Sequence, residues 1–343
     1  MPAASARGTP GVVRPMDPTR PMDLPNLLRS RIEESLLGTS STELQRAGEI
    51  LSGRYRAETR DGRLHLSDDL FAKAYTAARL PATYAAVRAA MEAVAEALPE
   101  FGPDRLLDVG SGPGTVLWAA ADAFETLSGA TLLEASAPIR RLGERLGEGA
   151  FAFPPEWRSG DLRSGLVGLG PADLVTLSYV LDEIEPADAD RLVDALWERT
   201  EGVLLIVEPG TPAGWRRILR VRDRLLARGA HVVAPCPHAE ACPIEAPDWC
   251  HFSQRLPRSR LHLRVKDAEV PFEDEKFAYV ALARETGAEK AARVLAPPRT
   301  GSGKVRLKLC RPDGTAGEEL LTKRDGEAFR RARRADWGDR LPA

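Results

Sequence analysis

Apolar positions recur at helical spacing over residues 24–37, 44–55, 70–80 and 84–98, with Pro81 punctuating the last two, and predict an N-terminal region of roughly four helices. The pattern changes at Arg105. From there, short apolar runs at 106–109, 131–133, 174–177 and 203–207 alternate with helical stretches, the mark of a parallel sheet covered by helices. After Glu208 comes an arginine-rich helix over 215–228, then a proline- and cysteine-rich stretch through Phe252 in which no period holds. Strand-like runs return at 261–265, 277–283 and 305–309, the segment 296–303 reads as a linker or exposed loop, and a basic helix over 325–335 closes the chain. No internal repeat is found. The expected organisation is a disordered tail over 1–22, a helical region over 23–100, an α/β core over 101–230, a cysteine-rich insert over 231–256, further core strands over 257–296 and a C-terminal extension over 297–343.

Composition narrows this picture. With 343 residues, 43% apolar and 29% charged, the chain has the make-up of an ordinary globule with one large core or two moderate ones. Its longest apolar runs have the length of buried strands, so no membrane partner is expected. The first twenty-odd residues are rich in Pro, Gly and Arg without a hydrophobic run, which suits a tail rather than a secretory signal; Pro10, Pro15, Pro18 and Pro21 would break the helix of an organelle presequence, and Met16 and Met22 are alternative starts. A net charge of −2 speaks against a uniformly basic binder of nucleic acid, and no DNA partner is expected. The distribution matters more. Arg216, Arg217, Arg220, Arg222, Arg224 and Arg228 crowd one helix, Arg255, Arg258, Arg260 and Arg264 flank a predicted strand, and Lys323, Arg324, Arg330, Arg331, Arg333 and Arg334 fill the tail. Such clusters are either phosphate-binding faces or solvated faces paired with acids such as Asp223 and Glu327.

Leu106-Leu107-Asp108-Val109-Gly110-Ser111-Gly112-Pro113-Gly114-Thr115 is a strand, a glycine turn and a helix start, the arrangement in which backbone approaches a nucleotide-like ligand. The third glycine follows two residues after the second, which departs from the dinucleotide spacing, and no P-loop lysine follows. The pattern resembles the glycine loop of class I methyltransferases, and implies a Rossmann-like doubly wound α/β fold that binds S-adenosylmethionine. Asp108, Gly110, Gly112 and Gly114 would then hold the methionine end, and Glu134, closing the next strand, would accept the ribose hydroxyls. Asp161 falls where that family places a contact to the adenine amine, or is a surface acid. At the fourth strand's end, Ser178, Tyr179, Asp182 and Glu183 either face the cofactor's methyl or cap the next helix. An Asn-Pro-Pro-aromatic motif, common in transfer to base amines, is replaced there by Ser178-Tyr179-Val180-Leu181, so no catalytic residue is assigned, although an SN2 transfer can run on proximity alone.

Four cysteines occur, at 236, 242, 250 and 310, with Pro235, Pro237, Pro243 and Pro247 among the first three. Too few apolar residues lie in that segment to order it by burial, so a metal is a natural source of order, with Cys310 completing a four-thiolate site if its strand packs alongside. The spacing lacks paired C-x2-C knuckles. Zinc remains an alternative metal, His238 is either a substitute ligand or a loop residue, His251 either a substitute ligand or a packed or hydrogen-bonding residue, and buried free cysteines are the plain alternative.

At Pro235-Cys-Pro-His238, Cys242-Pro243, Trp249-Cys250-His251-Phe252, Phe272-Glu-Asp-Glu-Lys276, Glu208-Pro-Gly-Thr211 and Trp337-Gly338-Asp339, the chain resembles the mitochondrial small-ribosomal-subunit assembly methyltransferase-like family and its bacterial homologues, over about residues 24–340. That resemblance implies a four-iron, four-sulfur cluster on Cys236, Cys242, Cys250 and Cys310, association with small-subunit ribosomal RNA during assembly, and a cytoplasmic location for a bacterial-type chain or a mitochondrial one for a eukaryotic chain. Two functions follow: a ribosomal RNA methyltransferase, or a non-catalytic assembly factor that binds the RNA with the same fold.

Overall fold

The computed structural model describes residues 22–57, 65–160, 166–266, 268–287 and 290–341. The expected tail, apart from Met22, and the expected adenine contact Asp161 lie outside the described residues.

Four helices lead: α1 (Asn26–Ser35), α2 (Ser41–Arg56), α3 (Asp69–Ala78) and α4 (Leu80–Ala97). Asp68 starts α3 by accepting the Phe71 N–H at 2.9 Å, and Pro81 sits in the first turn of α4, where its missing N–H costs nothing. The α/β part follows with β1 (Arg105–Val109), α5 (Thr115–Ala123), β2 (Gly129–Leu133), α6 (Ala137–Gly147), β3 (Glu156–Arg158), β4 (Ala172–Ser178), α7 (Pro186–Arg199), β5 (Thr200–Pro209) and α8 (Pro212–Leu226). Then come β6 (His231–Ala234), β7 (Phe252–Pro257), α9 (Arg260–Val265) and β8 (Phe272–Ala283).

The main sheet runs β3-β2-β1-β4-β5-β8, with β1 to β5 parallel and β8 antiparallel to β5. Along the outer edge of β8, β7 pairs with its first half and β6 with its end. This is the doubly wound sheet of class I methyltransferases, closed by an antiparallel strand. One apolar core unites α4, α5 and α6 with one face; a second, under α7 and α8, fills the other. The leading helices therefore share the first core, and α4 is stitched to α5 by Arg88, 1% exposed, which donates to Asp122 at 2.8 Å beside the Tyr84 hydroxyl at 3.2 Å.

A second sheet is built from β9 (Ala292–Val294), β10 (Arg299–Gly301), β11 (Lys304–Cys310), β12 (Ala316–Thr322) and β13 (Arg340–Leu341). β12 pairs with the whole of β11, so β10 and β9 succeed one another along its other edge, with β13 beyond β9. Helix α10 (Gly326–Arg334) packs Phe329 and Ala332 onto Val294, Val305 and Leu307.

Two expectations are corrected. Residues 261–265 form helix α9 and not a strand: the Ser259 hydroxyl accepts the His262 N–H at 3.1 Å, and His262 and Val265, three apart, are both buried at helical spacing. The segment 296–303 is not a plain linker, because Arg299–Gly301 pairs as β10 with β11.

Candidate functional site

At the end of β1, Gly110, Gly112 and Gly114 all adopt positive φ, between 55° and 77°, which turns the chain off the strand and into α5 within five residues. The packing is tight on one side and open on the other. A Cβ on Gly110 would meet Val180 Cγ2 at 2.5 Å, whereas one on Gly112 would meet nothing within 4 Å. Gly143 of α6 was not singled out from the sequence, yet a Cβ there would lie 2.8 Å from the Pro113 backbone and 2.6 Å from the Trp157 ring. Helix α6 thus backs the loop at a separation only glycine permits.

Glu134 follows β2 and is joined directly to this loop: its carboxylate accepts the Gly112 N–H at 2.8 Å and the Ser136 N–H at 2.7 Å. Burial raises its pKa above the ordinary value, and those backbone donors oppose the rise. Asp108 is 1% exposed, in register with Thr176, whose hydroxyl donates to Asp108 Oδ1 at 2.7 Å. Burial pushes its carboxyl up to about 7 against that hydrogen bond. Its Oδ2, with the Thr115 and Ser178 hydroxyl oxygens, is buried without a hydrogen-bond partner among the described residues. Unmet polar atoms at the mouth of a strand-turn-helix are what a bound ligand would satisfy.

Beyond β4 the chain carries more acids. Glu208 ends β5 fully buried, accepting the Leu181 N–H at 3.1 Å and held by Arg217 at 2.7 Å. Half-buried Glu183 is pushed up to about 8, by burial first and then by Asp182, Glu134 and Glu208. It reaches back to the helical region, because His65 Nε2 lies 4.0 Å from Glu183 and Arg54 of α2 donates to His65 Nδ1 at 2.9 Å. Tyr179 is the only non-glycine residue with positive φ among those described, at 59°, and its hydroxyl donates to buried Glu275 at 3.1 Å.

The four cysteines do come together. Cys236, Cys242 and Cys250 lie in the segment between β6 and β7, and Cys310 ends β11 in the second sheet; all four line one cavity of about 550 Å3, its mouth included. Burial raises every thiol, and Cys236, Cys242 and Cys310 raise Cys250 further. Two buried arginines wall the cavity. Arg222 of α8 donates to the carbonyls of His238 and Glu240 at 3.0 and 2.6 Å and has Cys236 beside it. Arg293, opposite Cys310 in register, donates to the Pro235 carbonyl at 3.1 Å. His238 places Nε2 3.4 Å from the Cys310 sulfur, while His251 bonds the Trp249 carbonyl and stacks on its ring. Among the described residues, however, no three His, Cys, Asp or Glu side chains are drawn into the arrangement of a metal site.

The basic clusters separate into two kinds. On α8 and just beyond its end, Arg220, Arg224 and Arg228 pair with Asp190 and Asp194 of α7, and Arg217 and Arg222 are engaged as above, so that cluster is largely structural. Arg255 and Arg258 pair with Asp274 and Glu273. On α10, by contrast, Arg331, Arg333 and Arg334 are exposed around one face. No helix among the described residues is long and apolar enough to cross a membrane.

The family described as mitochondrial small ribosomal subunit Rsm22 matches residues 69–342. The chain is similar to the human mitochondrial ribosome assembly protein METTL17, 33% identical over 287 residues, covering 78% of this chain and 62% of the human one. It is similar to a mitochondrial Rsm22-cox11 tandem protein of Schizosaccharomyces pombe, 24% identical over 288 residues, covering 69% and 38%. The chain thus spans less than two thirds of these relatives. Among solved structures, a putative RNA methyltransferase from Pyrococcus horikoshii is 14% identical, with 57% of this chain and 83% of that one covered and a TM-score of 0.38. Magnesium protoporphyrin IX methyltransferase from Synechocystis with bound SAM is 12% identical, with 75% and 97% covered and a TM-score of 0.40.

Proposed function

This chain belongs to the Rsm22 family of the mitochondrial small ribosomal subunit, and on that premise we propose that it binds S-adenosylmethionine and acts on small-subunit ribosomal RNA during ribosome assembly. The observation that carries the reading is the open side of Gly112, flanked by Glu134 and by the unpartnered Asp108 Oδ2. S-adenosylmethionine supplies an electrophilic methyl on a sulfonium. Gly110, Gly112 and Gly114 would admit its methionine end, Glu134 would exchange its hold on the Gly112 N–H for the ribose hydroxyls, and Asp108 and Ser178 would supply polar contacts at the strand ends. Asp161 remains a proposal for the adenine amine. The test is calorimetry on the intact protein with the methyl donor and its demethylated product, with Gly112→Asp, which fills the open side with a carboxylate, as the blank. Heat with wild type alone supports the reading; no heat with either ligand removes it.

A second reading, an assembly factor that binds RNA without methylating it, is favoured by Ser178-Tyr179-Val180-Leu181 standing in place of the base-amine motif. Labelled methyl transfer to immature small subunits separates the two: incorporation above the Gly112→Asp blank selects the enzyme.

We further propose a four-iron, four-sulfur cluster on Cys236, Cys242, Cys250 and Cys310. The donor set supports it: four thiols around one cavity, with two buried guanidiniums to offset the negative charge they acquire as ligands. A single zinc ion can also take four thiolates, at bonds of about 2.3 Å in a tetrahedron. Zinc is therefore the alternative, decided by metal analysis of anaerobically purified protein: about four irons per chain with visible charge-transfer absorption supports the cluster, and one zinc in colourless protein overturns it.

A further inference from the structure

Beside the proposed cofactor loop lies a larger cavity that no sequence motif announces. About 1,640 Å3 of empty space, open at its mouth, is walled by α2, α3 and α9 on one side and the ends of β4 and β5 on the other. Its lining carries three tyrosines, Tyr55, Tyr75 and Tyr179, and five cations, Arg56, Arg79, Arg217, Arg258 and Lys266, against two acids, Glu49 and Asp182.

These groups are differently prepared. Tyr179 enters the cavity from a left-handed backbone at the end of β4, a conformation that costs a side-chain-bearing residue on the order of 1 kcal/mol or more and concentrates at functional positions. Its hydroxyl is fixed on Glu275, which Arg79 holds in turn at 3.7 Å, so the ring is pinned from behind. Arg217, Arg258 and Lys266 have carboxylate partners in Glu208 and Glu273. Arg56, the exposed last residue of α2, donates to the Ser52 carbonyl 3.1 Å away and has no carboxylate partner among the described residues. It is the cation left for an incoming anion. A wall of aromatic faces with a cationic rim, abutting the residue that ends β4, matches one chemistry: a planar base joined to a phosphate.

Resting on the cofactor reading above, we infer that this cavity receives a single unstacked nucleotide of the RNA, its base among Tyr55, Tyr75 and Tyr179 and its phosphate at Arg56. The base is thereby brought out of its strand to the cofactor side of β4, as enzymes that act on nucleobases require. The leading helices, on this view, form the acceptor wall of the site. The polar groups of Asp182 and Thr211 lie on the same lining and suit the edge of a base.

The experiment is equilibrium binding, by saturation-transfer NMR and competition, of the four ribonucleoside 5′-monophosphates, the matching nucleosides and inorganic phosphate to the intact protein saturated with S-adenosylhomocysteine. At least one monophosphate is expected to bind about tenfold more tightly than its nucleoside and than phosphate. Arg56→Ala, an exposed change that leaves the fold alone, should erase the difference between nucleotide and nucleoside. Tyr75→Leu should weaken both by about tenfold, the size of one base-aromatic stack, whereas Tyr75→Phe, which keeps the ring in its packed place, should not. The inference is overturned if no monophosphate binds, if phosphate alone binds as well, or if neither Arg56→Ala nor Tyr75→Leu alters affinity. Nucleotide binding without any S-adenosylhomocysteine binding would keep the pocket and remove the cofactor reading.

Discussion

The Glu134 carboxylate grips the Gly112 N–H at 2.8 Å, so the acid after β2 and the apex of the glycine loop hold each other in place. On the proposed cofactor reading, that acid has two duties: it closes the loop in the free protein and would meet the sugar in the complex. Glu134→Gln keeps one acceptor for Gly112 but loses the charge. Affinity for S-adenosylmethionine and S-adenosylhomocysteine should fall together by roughly 10–100-fold, the worth of a charged hydrogen bond. Calorimetry checks it, and a loss confined to the sulfonium form would mean that Glu134 senses charge and not ribose.

Asp108 makes stability depend on pH. Its folded pKa is raised to about 7 from an ordinary 3.8, so the stability associated with its protonated form is intact below that ordinary value and drains away as pH rises through 7. Asp108→Asn removes the dependence and keeps an acceptor for Thr176. In ligand-free urea unfolding, the variant's advantage should grow between about pH 4 and 7 and level off at roughly 3–4 kcal/mol. An advantage that does not change with pH would show that Asp108 is not buried as an acid.

Arg222 fastens the cysteine segment from underneath: its Nη2 donates to the carbonyls of both His238 and Glu240, while its Nη1 donates to Asp223. Arg222→Met should cost about 3 kcal/mol or more and, with the proposed metal bound, speed its loss to a chelator, because the buried His238 carbonyl, the Glu240 carbonyl and the nearby Cys236 sulfur lose their donor. Arg222→Lys should rescue neither, since one ammonium cannot replace a planar fork. Wild-type metal retention in the lysine variant would count against this role.

Helices α8 and α10 should behave oppositely toward RNA. Arg220→Ala breaks a solvent-screened pair with Asp190 on the surface and should leave RNA affinity alone. The double change Arg331→Glu and Arg334→Glu should weaken binding across sequences and reduce the slope of log affinity against log salt by about 2. Filter binding over a salt series reads both; equal effects from the two helices would remove the distinction.

What could be read from the sequence was local. The glycine turn, the acid one strand later and the alternation of strands and helices each occupy a short window, and their positions in the structure follow from chain connectivity. The convergence of Cys310 with three cysteines some sixty or more residues earlier could be framed only as a condition on how β11 packs, and the shared cavity meets it. Arginine function was not legible, because the partners of Arg220 and Arg224 lie 30 residues away on another helix. Nor was the acceptor wall: Tyr55, Tyr75 and Arg79 read as ordinary helix residues until α2 and α3 are laid against the end of β4. Gly143 escaped notice for the same reason, since its need for hydrogen in place of a side chain arises from a tryptophan and a proline on other elements.

The small sheet that ends the chain has little apolar material of its own: six buried residues, Val294, Val305, Leu307, Leu309, Phe329 and Ala332, make up its separate core. It meets the rest of the molecule through Cys310, Leu295 and the register partner Arg293 on the wall of the cysteine cavity, and also through Lys308 on Asp248 and Arg340 on the Glu96 carbonyl. Whatever chemistry stitches those sulfurs together also sets the bearing of α10 relative to the large sheet.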